Sequence, residues 1–326
     1  MLSEARVNAV NQVSTEANAA EAGTARAPLA AVEWPTLLLV VASYPAWLAV
    51  THAYGRWPLW IVVPVAVALL TLHSSLQHEI LHGHPTRSAR LNRLFAIVPL
   101  SLWLPYMRYQ QLHLIHHHDE RLTDPLDDPE SFYWTPEDWA RLSPFSHAML
   151  RVQQTLAGRV LLGSYWRIGM FLHHEFIGVL RNNKGLRAIW LEHLLWCLPV
   201  IAWVKLVCGM PLWVYVVAMA IPARGMVLIR AFAEHRARPE VRKRTAIVEK
   251  SWLLGPLFLF NNLHSLHHEM PGLPWYQYHD RYRLHRNRLV AENGGLVYVN
   301  YFEVARRYLF RPHDVLQHPT GRVPGS

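Results

Sequence analysis

The chain has 326 residues, with 32 Lys and Arg against 23 Asp and Glu, 21 His, a net charge of +9 and a hydrophobic share of 52%. A mean hydropathy of only +0.05 conceals long apolar runs separated by very polar stretches. The cations flank those runs, where each meets anionic lipid head groups at about 1 kcal/mol, whereas a nucleic-acid binder would carry a basic stripe on a soluble fold. Cys197 and Cys208 fall on one predicted helix, about 16 Å apart by helical rise, which excludes a disulfide with its limit of about 7 Å.

Residues 1–32 are rich in Ala, Glu and Asn with no apolar core, so a disordered tail is expected there and not a signal peptide. One membrane domain is expected over 33–316, with a short tail at 317–326. Four apolar runs, Trp34–Val50, Trp57–Leu76, Ile189–Cys208 and Leu212–Ile229, have 17 to 20 residues each. About 20 apolar residues cross the hydrocarbon core, so the expected fold is all-α and multi-pass, with about four transmembrane helices and a cytosolic helical cap. Phe95–Met107 is apolar but short and carries Pro99 and Pro105, which suits a re-entrant hairpin or an interfacial turn.

Charge placement orients these spans. Gln77–Arg187 holds 12 Lys and Arg and Arg230–Ser326 holds 15, while Thr51–Arg56 and Gly209–Pro211 hold only Arg56. Cations stay on the cytoplasmic side, so both termini and the long middle segment are expected there, with a bacterial inner membrane the expected location. Within that segment, Leu122–Trp139 alternates Asp and Pro in turn-forming positions, with Trp134 and Trp139 placed to cover a site mouth. Arg141–Leu172 scatters Arg among apolar residues and fits a helix lying in the interface.

Histidine dominates the chemistry. His78 and His82 are spaced i, i+4, and His113, His116, His117 and His264, His267, His268 are each spaced i, i+3, i+4. Residues three and four apart are neighbours on a helix, so each cluster can turn two or three ring nitrogens to one point. Neutral imidazole suits iron, zinc or copper, and eight such residues suggest more than one ion. His78-Glu-Ile-Leu-His82 also reads as the zinc-protease pattern HExxH with Glu79 as base, but catalytic zinc uses about three protein ligands, and six further histidines stay unexplained. A histidine-rich metal transporter would place its ligands within the spans, whereas these lie at span ends and beyond. His52 and His73 read as polar packing; His118 points away from His117; His173 and His174 lack a helical partner. His147, His279, His285, His313 and His318 read as surface or cap residues. Glu192–His193 lies inside a span and reads either as a substrate contact or as a helix–helix hydrogen bond.

The three clusters, H-x(3)-H, H-x-x-H-H and H-x-x-H-H in order after apolar spans, resemble the integral-membrane fatty acid desaturase superfamily from about Val40 to Leu316. The resemblance implies two non-haem iron ions on a four-helix stem, O2 as co-substrate and electrons from an external donor. It also implies a ninth ligand on the stretch after the last span, a place that His235 occupies. The expected metal ligands are therefore His78, His82, His113, His116, His117, His235, His264, His267 and His268. Glu79, Asp119, Asp124, Asp128, Glu234 and Glu269 lie beside them and could accept their second ring N–H. An acyl-lipid desaturase is the expected function; a hydroxylase, a ketolase or an oxidative decarboxylase would use the same scaffold. No His-Pro-Gly-Gly haem segment occurs, so a separate, ferredoxin-like donor is expected, with Arg281, Arg283, Arg286 and Arg288 as a candidate docking cluster.

Overall fold

The computed structural model describes residues 32–319; the expected N-terminal tail apart from Val32 lies outside them, as does all but the start of the C-terminal one. Among the described residues, four helices are long and apolar enough to cross a membrane: α1 (Trp34–His52), α2 (Leu59–Leu81), and two later spans at Lys184–Val207 and Leu212–Glu234. At 1.5 Å per residue the 23-residue α2 is about 34 Å long. It runs past the expected end at Leu76 and carries His78 with it. α1 and α2 form a hairpin through Gly55, whose φ of +75° lies in the left-handed region that glycine enters without steric cost.

The expected re-entrant segment is real. After the amphipathic α3 (Ala89–Ala96), the chain runs through 97–105 without helix before α4 (Tyr106–His116). Leu100 is 1% exposed and sits in the core cluster between the spans with Trp47, Leu70 and Tyr215. Carbonyls sealed from water cost several kcal/mol unless bonded, and side chains from the spans bond these. Tyr44 donates to Phe95 O at 2.6 Å, Gln77 to Ala96 O at 2.7 Å and Tyr215 to Leu100 O at 2.7 Å. His193 donates to Leu102 O at 3.0 Å. Its neighbour Glu192 pairs with Arg93 of α3, so the Glu–His pair inside the span tethers both the loop and the helix before it. His73 packs edge-on against Tyr44, as expected for polar packing.

Helix α5 (Pro144–Gln153) leads through a π-helical turn at Arg159–Gly163 into α6 (Ser164–Leu180). Phe145, Leu161, Tyr165, Phe176 and Leu180 point outward and exposed, the apolar face expected of an interfacial helix. Its buried Glu175 accepts from Arg108 Nε and Trp190 Nε1, each at 2.9 Å. The spans α7 (Lys184–Val207) and α8 (Leu212–Glu234) follow. The cap is closed by β1 (Ile247–Val248), parallel to β2 (Val297–Tyr298), and by α9 (His264–Glu269), α10 (Tyr278–Glu292) and α11 (Tyr301–Tyr308). Gln317 bridges to Trp134 and His318 is buried, so packing continues past the expected boundary at 316. His313 is likewise buried, against Phe232 at 4.8 Å.

Tyr215 also accepts from Trp47 Nε1 at 2.9 Å, so one phenol joins α1, the loop and α8. Tyr215→Phe strips a buried carbonyl and a buried indole N–H of their partner, each worth about 1–3 kcal/mol. Thermal unfolding in detergent should show a lowered midpoint; an unchanged one would mean that the loop is held by packing alone.

Candidate metal centre

Four helices end at one place. His78 lies in the last turn of α2 and His82 caps it; His113 and His116 close α4 and His117 caps it; His235 caps α8; α9 carries His264, His267 and His268. Helix C-termini carry about half a negative charge, so the backbone itself favours a cation here. The chain before α9 turns through Leu259 and Phe260 at φ of 48° and 56°, a costly conformation for such side chains that tends to persist where a site requires it. It delivers the buried Asn261 between the histidines.

All nine expected histidines gather, in two groups: His78, His82, His113, His117 and His267, then His116, His235, His264 and His268, with one ring nitrogen from each within 4.8 Å of the others in its group. The boxes do not each serve one point, as their spacing suggested. Each H-x-x-H-H box sends its i, i+4 pair to one group and its i+3 residue to the other. On a helix the i+4 residue is turned roughly 40° from the first and the i+3 residue roughly 60° the other way. Box two gives its pair to the first group and box three gives its pair to the second, so they interlock.

The Nε2 atoms stand edge to edge. His117 lies 3.0 Å from both His113 and His267 in the first group. In the second, His235 lies 3.1 Å from His116 and 2.8 Å from His264, and His268 lies 3.1 Å from His264. Nitrogens about 2.1 Å from one ion and at right angles around it would be about 3.0 Å apart. Buried Nε2 of His82 has no hydrogen-bond partner among the described residues. The donor set therefore fits metal ions of the kinds imidazole suits, iron, zinc and copper among them. Burial holds His82, His117, His235, His264, His267 and His268 well below the usual histidine pKa, in the neutral form that ligates metal. Burial opposes protonation of His116 too, but the carboxylates of Asp128 and Glu130 outweigh it and raise its pKa to about 9.

The other ring nitrogens are held from outside. His113 Nδ1 meets Glu130 at 2.8 Å, His116 Nδ1 meets Asp128 at 2.9 Å and His267 Nδ1 meets the Tyr278 hydroxyl at 2.9 Å. Asn261 accepts from His264 Nδ1 at 3.2 Å and donates to His78 at 3.3 Å, which ties the two groups together. Among the carboxylates expected in this role, Asp128 fills it, and Glu234 lies 3.3 Å from His264 Nδ1 while pairing with Arg230. Glu269 instead pairs with Arg288, and Asp124 caps its own turn at Leu126 N. The Asp119 side chain lies outside what is described. Glu79 accepts Trp275 N–H at 2.9 Å and lies 3.9 Å from His84, partners outside both groups, which speaks against it as the base of an HExxH protease.

Sequence reasoning missed Glu130, Asn261 and Tyr278. Glu130 lies two residues beyond Asp128 in the same acidic turn, a signal that was present; nothing local marks the other two. Trp139 stacks on His147 and Trp134 pairs through its backbone with Leu316 and His318; Phe132, Tyr133 and Phe232 line the cavity beside His116 and His235. Of the arginines on α10, Arg283 pairs with Asp280, Arg286 with Glu249 and Arg288 with Glu269 and Glu292, so much of that charge is internally matched.

The sequence matches the Fatty acid desaturase family over residues 55–301, from the α1–α2 turn to the start of α11 and through all three histidine boxes. No curated protein and no solved structure matches the chain. With most of its length matched and its histidines gathered at the ends of apolar spans, the chain belongs to the fatty acid desaturase family, a family of membrane oxidoreductases.

Proposed function

We propose that the chain is an O2-dependent acyl-chain desaturase whose two histidine groups hold two irons, five imidazoles on one and four on the other. The observation that carries this reading is the pair of adjacent groups with nitrogen edges near 3 Å. Non-haem iron bound there would supply the O2 chemistry that breaks an unactivated C–H bond, which no side chain can do alone. The rest falls to the chain's own residues. Glu130, Asp128 and Tyr278 fix ring orientation through Nδ1 and leave each Nε2 lone pair facing the site. The apolar substrate would come from the bilayer that the four spans cross, and the excess of cations on the site's side supports a cytoplasmic site with both termini on that side; a bacterial inner membrane is the location inferred. Electrons come from a separate ferredoxin-like carrier.

The purified protein should bind two irons per chain by metal analysis, and zinc should not support turnover; one zinc with peptide-cleaving activity would contradict the reading. A host expressing it should accumulate acyl chains lacking two hydrogens by lipid mass spectrometry; chains gaining one oxygen would mark a hydroxylase. His267→Ala should abolish product while the protein still inserts in the membrane.

Asp128→Asn should weaken iron binding by about 10–100-fold, as loss of a group that orients a ligand typically does. Glu269→Gln, which touches Arg288 and no ligand, should leave iron binding unchanged in the same titration. Equal effects of the two would mean that Asp128 acts only through general charge.

A further inference from the structure

The π-helical turn before α6 carries an arginine that the metal centre does not use. Arg159 is 6% exposed and has no carboxylate partner among the described residues. Its Nε donates to Gln153 O at 2.8 Å, and its guanidinium lies 3.8 Å over the Phe132 ring and 5.6 Å from that of Phe232. Burial lowers its pKa only to about 10, so it stays charged at neutral pH. The structure's other deeply buried arginines are better satisfied: Arg108 has Glu175, Arg230 has Glu234, and Arg244 donates to the carbonyls of Arg238, Leu122 and Pro239. A buried, unpaired charge is among the costliest features a protein can carry.

The charge borders a cavity that also touches His116 and His235 of the second group. Three carboxylates reach the same cavity and all are engaged. Asp128 holds His116 and Thr123 N; Glu130 holds His113; Asp314 accepts from the Tyr133 hydroxyl at 2.7 Å and lies 3.4 Å from Arg236. Arg159 is thus the cation left over. The free space is about 30 Å³, room for two water-sized groups at about 10–15 Å³ each. That suits the two oxygens of a carboxylate and is too small for a phosphodiester head group. The aromatic rings of Phe132 and Phe232 supply an apolar wall.

We propose that this cavity binds the carboxylate of a free carboxylic acid, with the guanidinium of Arg159 as its counter-ion, so that the substrate is an unesterified fatty acid and not the acyl lipid that the sequence suggested. The assignment rests on the acyl-oxidation reading for its biological meaning, but its test needs no turnover. Recognition through a buried charge also gives sharp selectivity, because a neutral ester would leave the guanidinium desolvated and unpaired.

The test is native mass spectrometry of the detergent-solubilised protein incubated with equimolar hexadecanoic acid and its methyl ester. The wild type should retain the acid over the ester by about tenfold or more, as expected of a charge-assisted hydrogen bond. Arg159→Met should bring the ratio close to one, and Arg159→Lys should keep a preference for the acid. Equal retention of acid and ester by the wild type would overturn the proposal without any variant, as would an acid preference that survives in folded Arg159→Met. A protein that selects the acid but oxidises neither ligand would leave this site standing and remove the catalytic reading instead.

Discussion

Everything in the cap serves one electrostatic problem: buried imidazole nitrogens, all but that of His116 held toward the neutral form, stand 2.8–3.1 Å apart in two groups. Lone pairs so close repel one another unless a cation or a proton lies between them, and burial works against the proton. The structure leans toward the cation at several scales. Helices α2, α4 and α8 point their negative ends at the groups, Asp128 and Glu130 place charge behind His116 and His113, and the interlocked boxes make either group incomplete without the other. Metal binding and the packing of the cap are therefore one equilibrium, since ligands preassembled at such cost release that cost when an ion enters.

The membrane stem solves a different problem, the positioning of α4. A straight helix after α3 would leave the second box out of reach, so the chain turns back through 97–105 inside the bundle. Backbone at membrane depth needs its carbonyls bonded, and Tyr215 and His193 bond those of Leu100 and Leu102 within the loop while Tyr44 and Gln77 bond the last carbonyls of α3. These polar residues within apolar spans look functional in isolation. Their work is to hold a loop, and through it the angle at which His113 and His116 arrive.

The elements with long-period signals were legible in sequence. The four apolar runs became four spans, Pro99 and Pro105 marked the break between α3 and α4, and the i, i+3, i+4 spacing picked out eight histidines that the fold brings together. The resemblance to a known family added His235, which spacing alone could not. What stayed hidden depends on contacts between distant segments. Helical spacing gives the angle between His116 and His117 but not that a second helix waits on each side, so the splitting of the boxes could not be read. Glu269 and Asp128 are equally acidic neighbours of ligands, and only the fold sends one to Arg288 and the other to His116. Asn261 and Tyr278 carry no pattern of their own, and Arg159 is one of many arginines until its burial over Phe132, with no acidic partner among the described residues, is seen.

The most direct measurement of the central claim is an anomalous difference map at the iron absorption edge from crystals of iron-loaded protein. Two peaks are expected, one among His78, His82, His113, His117 and His267 and one among His116, His235, His264 and His268. A single peak, or two peaks of which one lies outside these groups, would contradict the account.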